Sequence, residues 1–231
     1  MRGLSLIAAT VLLFSIAIRA SWAADNELTA EEKAAGWKLL FNGKDHTGWK
    51  CSNDKPIACP IEDGGLVPYK SGSYLIIHET QFGDFILKCD VKMSSSCNSG
   101  IFFRVGDPRN PVQTGFEIQV MTGKGASYHD FGAVYELAKP ARNNSRGAGQ
   151  WDSIEVTCKG PKIAVAINGE TVTTMNCDDY TEPGKNPGGG KNKFKMAIKD
   201  FPRKGYIGLQ DHGAKCWYKN IKVLELAEAG E

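Results

Sequence analysis

Beyond residue 80 the chain alternates between apolar and polar positions with a period of two. Phe85, Leu87, Cys89 and Val91 share one parity of the run 84–93, and Phe116, Ile118 and Val120 share one parity of 115–121. Ile154, Val156 and Cys158 repeat the pattern in 153–159. Ile163, Val165 and Ile167 follow, and Asn168-Gly169 is hairpin-turn chemistry leading into 171–175. Segments 101–105, 206–210 and 217–226 complete the series. Many short alternating strands separated by turn residues predict an antiparallel β-sandwich. The one helix expected is short: Thr29 with Glu32 three residues on forms a capping box, and Gly36 supplies the stop.

The N-terminus follows a different pattern. Met1-Arg2 precedes a nearly unbroken apolar run from Leu4 to Ile18, and Ser21-Trp22-Ala23 sets small residues at the −3 and −1 positions of a cleavage site. That is the layout of a secretory signal peptide. The run is shorter than the roughly 20 residues that span a bilayer, so no stable membrane anchor is expected after cleavage near Ala23. The expected organisation is a signal at 1–23, a helical lead-in at 24–35, one sandwich domain at 36–226 and a tail at 227–231. The expected destination is the periplasm or the exterior.

Of 231 residues, 28 are Lys or Arg and 26 are Asp or Glu, a formal charge of +2. Arg2 and Arg19 lie in the signal, so the remainder is balanced, which excludes nucleic-acid binding driven by bulk charge. In an oxidising compartment the 7 cysteines would form disulfides by default, with one left over. None has C-x-x-C spacing. Cys51–Cys59 is the pairing most favoured by proximity in sequence, and the others stay open.

Candidate chemistry lies on the polar parity of the strands. Glu117 and Gln119 alternate with the core positions of 115–121, Asn98, Phe102 and Arg104 share a parity, and Tyr206, Gln210 and His212 share another. His78 falls at the end of 74–78. Gathered on one sheet face, these side chains suit a sugar, with amides and carboxylates for hydroxyls and aromatic faces for C–H surfaces. The segment 178–205, rich in Gly, Pro and Lys, reads first as a solvated loop and second as an anion site built from Lys185, Lys191, Lys193, Lys195, Lys199, Arg203 and Lys204.

Five segments occur in one order: GWKLLFNGKDHTGW at 36–49, the stretch 82–104 with NSGIFFR, GFEIQV, 150–156, and GYIGLQDHG followed by 217–226. Together they resemble the 3-keto-disaccharide hydrolase domain family over about residues 36–226. The resemblance implies an all-β, concanavalin A-like jelly-roll sandwich of exported bacterial proteins. It also implies cleavage of 3-keto-glycosides, either as a 1,2-lyase or as a hydratase of the resulting 2-hydroxyglucal. Carried over residue by residue, the matching positions are Asn98 and Arg104, Glu117 and Gln119, and Gln210, Asp211 and His212. Met121 stands where relatives often carry an acid.

The implied partner is a 3-keto-disaccharide or other 3-keto-glycoside. A C3 ketone acidifies C2–H, so a base can expel the C1 substituent by β-elimination. The catalytic roles expected are His212 or Glu117 as base and Arg104, alone or with Asn98, as stabiliser of the enolate oxygen. Asn98, Gln119, Gln210, Asp211, His78 and Tyr206 are expected to bind substrate. No cofactor is required by this chemistry, although His78, Glu117, Asp211 and His212 leave a divalent metal open. A retaining glucanase needs two carboxylates about 5 Å apart, and Gln119 and Met121 do not provide the second. The competing reading is a non-catalytic, lectin-like sugar-binding module.

Overall fold

The structure is a computed structural model that describes residues 24–227. The segment 1–23, where a signal peptide is expected, and residues 228–231 of the tail lie outside the described residues. The helix expected from the capping box is α1, Ala30–Ala34, with both reciprocal Thr29–Glu32 hydrogen bonds formed. Lys222 pairs with Glu32 at its base.

Among the described residues thirteen strands form two antiparallel sheets. They are β1 (Lys38–Leu39), β2 (Trp49–Cys51), β3 (Ile61–Glu62), β4 (Gly65–Leu66), β5 (Leu75–Phe82), β6 (Phe85–Met93) and β7 (Asn98–Val105). After a short helix α2 (Pro111–Thr114) come β8 (Phe116–Met121), β9 (Trp151–Lys159), β10 (Lys162–Ile167), β11 (Glu170–Asn176), β12 (Gly205–Gln210) and β13 (Cys216–Glu225). The larger sheet runs β11-β10-β9-β6-β13-β4-β3, with β1 also on β13, and the smaller runs β2-β5-β12-β7-β8. This is the jelly-roll sandwich that the alternation and the resemblance lead one to expect.

The alternation is realised side chain by side chain. Along β6, Phe85, Leu87, Cys89, Val91 and Met93 are buried while the intervening residues are half-exposed. Phe103, Phe116 and Phe201 stack through the core at 5.4–5.5 Å between ring centres. Ser99 on β7 and Tyr218 on β13 hydrogen-bond across the sandwich at 2.8 Å, and Ser99 also donates to the Gln210 carbonyl at 2.7 Å. A polar clasp therefore fixes β12 against β7 beneath the end of the smaller sheet.

All seven cysteines are buried free thiols. The Cys51–Cys59 disulfide expected from sequence proximity is not formed; Cys51 Sγ instead donates to the Ser71 carbonyl at 3.3 Å.

Candidate active site on the five-stranded sheet

The outer face of the smaller sheet changes character along its length. Leu75, Ile77, Phe102 and Val105 make an apolar floor, with Val112 and Tyr206 packed on it. Beyond Phe102 the floor turns polar, and a pocket of about 360 Å³ opens over it. Its lining includes Asn98, Glu117, Gln119, Gln210 and His212, together with Tyr74, Met121, His129, Tyr135 and Lys193. Larger hollows exist, but the 680 Å³ hollow on the other sheet is lined by Lys222 and Lys88, whose charges already pair with Glu32 and Glu155.

Glu117 and Gln119 lie one above the other on β8, and both are buried. Gln119 Nε2 donates to Asn98 Oδ1 at 3.0 Å, and Asn98 Nδ2 lies 3.2 Å from His212 Nδ1. With its oxygen engaged, the Asn98 amide presents N–H to the ring, so His212 Nδ1 accepts and the neutral imidazole carries its proton on Nε2. His212 itself is exposed at the rim. Gln210 Nε2 donates to the Tyr74 hydroxyl at 2.5 Å, whereas Gln210 Oε1 is buried without a partner. A buried acceptor left open in a pocket is a place for a donor such as a sugar hydroxyl.

Burial dominates the ionisation of Glu117 and pushes its carboxyl up to about 7, against smaller opposing effects of Lys193 and the Gln210 amide. A carboxyl poised there can exchange a proton near neutrality. Burial likewise raises Tyr74 to about 12, so its phenol stays neutral.

Several pocket residues come from loops whose place the alternation does not reveal. Segment 131–138 pairs along the free edge of β8, with Tyr135 N–H donating to the Glu117 carbonyl at 2.9 Å. That pairing sets Tyr135 beside Glu117. His129 packs on the Tyr135 ring at 4.8 Å and pairs with Glu136 at 3.1 Å. Lys193 arrives from the long loop that reads first as solvated and only second as an anion site. Only a Lys-rich composition hinted at it.

Four expected site residues are elsewhere. Arg104 is fully buried on the inner side, where it bonds the Gly83 and Gly160 carbonyls and pairs with Asp84 at 2.8 Å. The reason is a bulge. Tyr206 pairs with Val105 but Gly208 pairs with Phe102, so Ile207 alone faces Phe103 and Arg104. The extra residue, Arg104, takes φ 49° and turns inward. It therefore cannot hold an enolate in this pocket. His78 lies against Trp49 and Phe82, at 5.5 and 5.8 Å, and burial lowers its basicity. Asp211 accepts from the Ser71 and Gly213 amides and shapes the turn after β12. Tyr206 stays on the apolar floor outside the pocket lining. Among the described residues no three His, Cys, Asp or Glu side chains converge to hold a metal ion.

Comparison with known proteins matches residues 36–224 of the chain to the family described as the 3-keto-alpha-glucoside-1,2-lyase-like domain. A 3-keto-disaccharide hydrolase of Bacteroides thetaiotaomicron is 23% identical over 233 residues, covering 84% of this chain and 79% of that protein. Two solved structures from Parabacteroides distasonis, both provisionally named glycosyl hydrolases, superpose with TM-scores of 0.74. One is 30% identical, covering 88% of this chain and 100% of the other; its companion is 29% identical, covering 82% and 99%.

Proposed function

The chain belongs to the family of 3-keto-alpha-glucoside-1,2-lyase-like domains, and from that premise we propose that it cleaves 3-keto-glycosides by elimination across C1–C2. The observation that carries this reading is Glu117: a single carboxylate buried in a sugar-sized pocket, held near neutrality and ringed by amides. One carboxylate suffices for proton abstraction next to a ketone, whereas glycosidic double displacement needs two.

Ionised Glu117 takes the C2 proton, and the electron pair enters the C2–C3 enolate. As the enolate collapses, the C1–O bond breaks and the departing oxygen, hydrogen-bonded by His212 Nε2–H, takes a proton from water. Asn98 keeps that proton on Nε2 by donating to Nδ1. Gln119 and Gln210 position hydroxyls, the open Gln210 Oε1 accepting one of them. Hydration of the enone follows, the hydroxide left by that water adding to C1 and the Glu117 proton to C2. The sum is hydrolysis; stopping before hydration makes the protein a lyase. On the same reading the protein works outside the cytoplasm, its 1–23 segment serving as the export signal.

The test is to incubate the purified protein with 3-keto-trehalose and with trehalose. Sugar release from the keto compound alone supports the proposal. Binding of both with turnover of neither assigns the protein to the sugar-binding modules instead.

A further inference from the structure

We infer that Lys193 is the electrophile of this site, holding the C3 oxygen as it becomes an enolate; the inference rests on the elimination proposed above. With Arg104 turned inward, the pocket has to find a cation elsewhere. Lys193 is the lysine in its lining, and it comes from a loop that the rest of the fold holds in place.

That loop is anchored at both sides of Lys193. Asn192 N–H donates to the Gly184 carbonyl, and the Asn192 amide reaches Asn186 Oδ1 at 2.8 Å. Asn186 in turn donates to the Glu136 carbonyl at 2.8 Å. On the other side Phe194 is buried, packing edge-on against Phe201 at 5.5 Å between ring centres. Gln113 bridges the carbonyl of Lys193 and the N–H of Lys195 at 3.2 and 3.0 Å. The backbone of Lys193 is thus tied to α2, to the 131–138 segment and to the core, although its own side chain is exposed.

The ammonium lies 4.0 Å from the centre of the Tyr135 ring, the residue whose N–H is bonded to the Glu117 carbonyl. Cation–π contact orients a lysine without neutralising it. No ion pair within 4.0 Å joins it to any described carboxylate. Glu136, the nearby acid, is engaged with His129. The groups facing Lys193 are therefore Glu117, Glu136, His129 and Tyr135. Its field also lowers the Glu117 pKa, which marks the two as electrostatic neighbours. A base on the floor and an unpaired cation at the wall are what abstraction of a proton next to a carbonyl requires. The base meets C2–H, and the ammonium meets the oxygen on which charge develops. No bond to Lys193 forms or breaks: it donates a hydrogen bond to O3, which tightens as the electron pair arrives and relaxes as the leaving group departs.

Lys193→Met, Lys193→Arg and, as a control on the same loop, Lys195→Met are compared with wild type on 3-keto-trehalose, with kcat and KM measured separately. The expected result is a kcat lower by about 100-fold or more in Lys193→Met with KM changed little, as for loss of an oxyanion donor. Lys193→Arg should recover most of that loss, and Lys195→Met should match wild type. A Lys193→Met kcat close to wild type, or a rise in KM alone, overturns the inference while leaving the elimination standing. A wild-type protein that releases no sugar overturns both.

Discussion

Glu117 owes its seat to Gly100. The two lie on neighbouring strands, and a methyl group on Gly100 would stand 2.3 Å from Glu117 Oε1 and 2.8 Å from its Cγ. No positive φ demands glycine there; what demands it is the carboxylate leaning across β7. Gly100→Ala is expected to displace Glu117 and lower kcat by about 100-fold, the scale of a 1 Å misplacement at a reacting centre. Gly83→Ala, with nothing within 4 Å of its new methyl, is the matched control. Both are checked by kinetics alongside the melting temperature.

The ionisation of Glu117 links activity to stability. Its folded pKa, about 7, lies above the 4.5 of the unconstrained group. The folded state then binds more protons between those values, so stability falls as pH rises from about 4.5 through 7. Activity needs the ionised form and should rise through the same interval. Glu117→Gln is expected to abolish turnover and flatten the stability slope, with a gain of about 1–3 kcal/mol at pH 8. Urea unfolding at pH 5 and pH 8 checks the stability half, and a kcat–pH profile the other.

Arg104 is expected to serve the fold. Arg104→Met leaves Asp84 buried without its partner and should cost about 3–5 kcal/mol. Protein that remains folded at low temperature should keep a KM near the wild-type value. A large KM change in well-folded protein would return Arg104 to the substrate site.

The thiols give a simple check on the core. Burial pushes Cys59 and Cys158 up to about 12 and raises Cys51 and Cys177 as well. A thiol-specific reagent should modify essentially none of the seven in native protein and all of them in guanidinium. Fewer than seven in guanidinium without reductant would reveal disulfides formed in an oxidising compartment.

Much of this was legible in the sequence because burial in a sandwich follows parity. Phe116, Ile118 and Val120 point inward, so Glu117 and Gln119 have to point outward, and the same reasoning places Gln210. Parity failed at Arg104, because a bulge shifts the count by one residue and hydrophobic alternation does not register an inserted residue that remains buried. It also could not reach Tyr135, His129 or Lys193. These come from loops docked by backbone hydrogen bonds, and such bonds leave no periodic trace. The one sequence cue, a cluster of lysines in a long loop, is shared with ordinary solvated loops. His78 sits on a true strand, but on the parity that faces Trp49 and Phe82.

The proton at C2 decides the central question. 3-Keto-trehalose is turned over in D₂O, and the released 3-keto sugar is examined by NMR, with a protein-free blank for spontaneous exchange. Elimination and rehydration predict one deuterium at C2 in the wild-type product and neither release nor exchange with Glu117→Gln. Sugar released with its original C2 proton intact would mean direct cleavage at C1 and would contradict the proposed route.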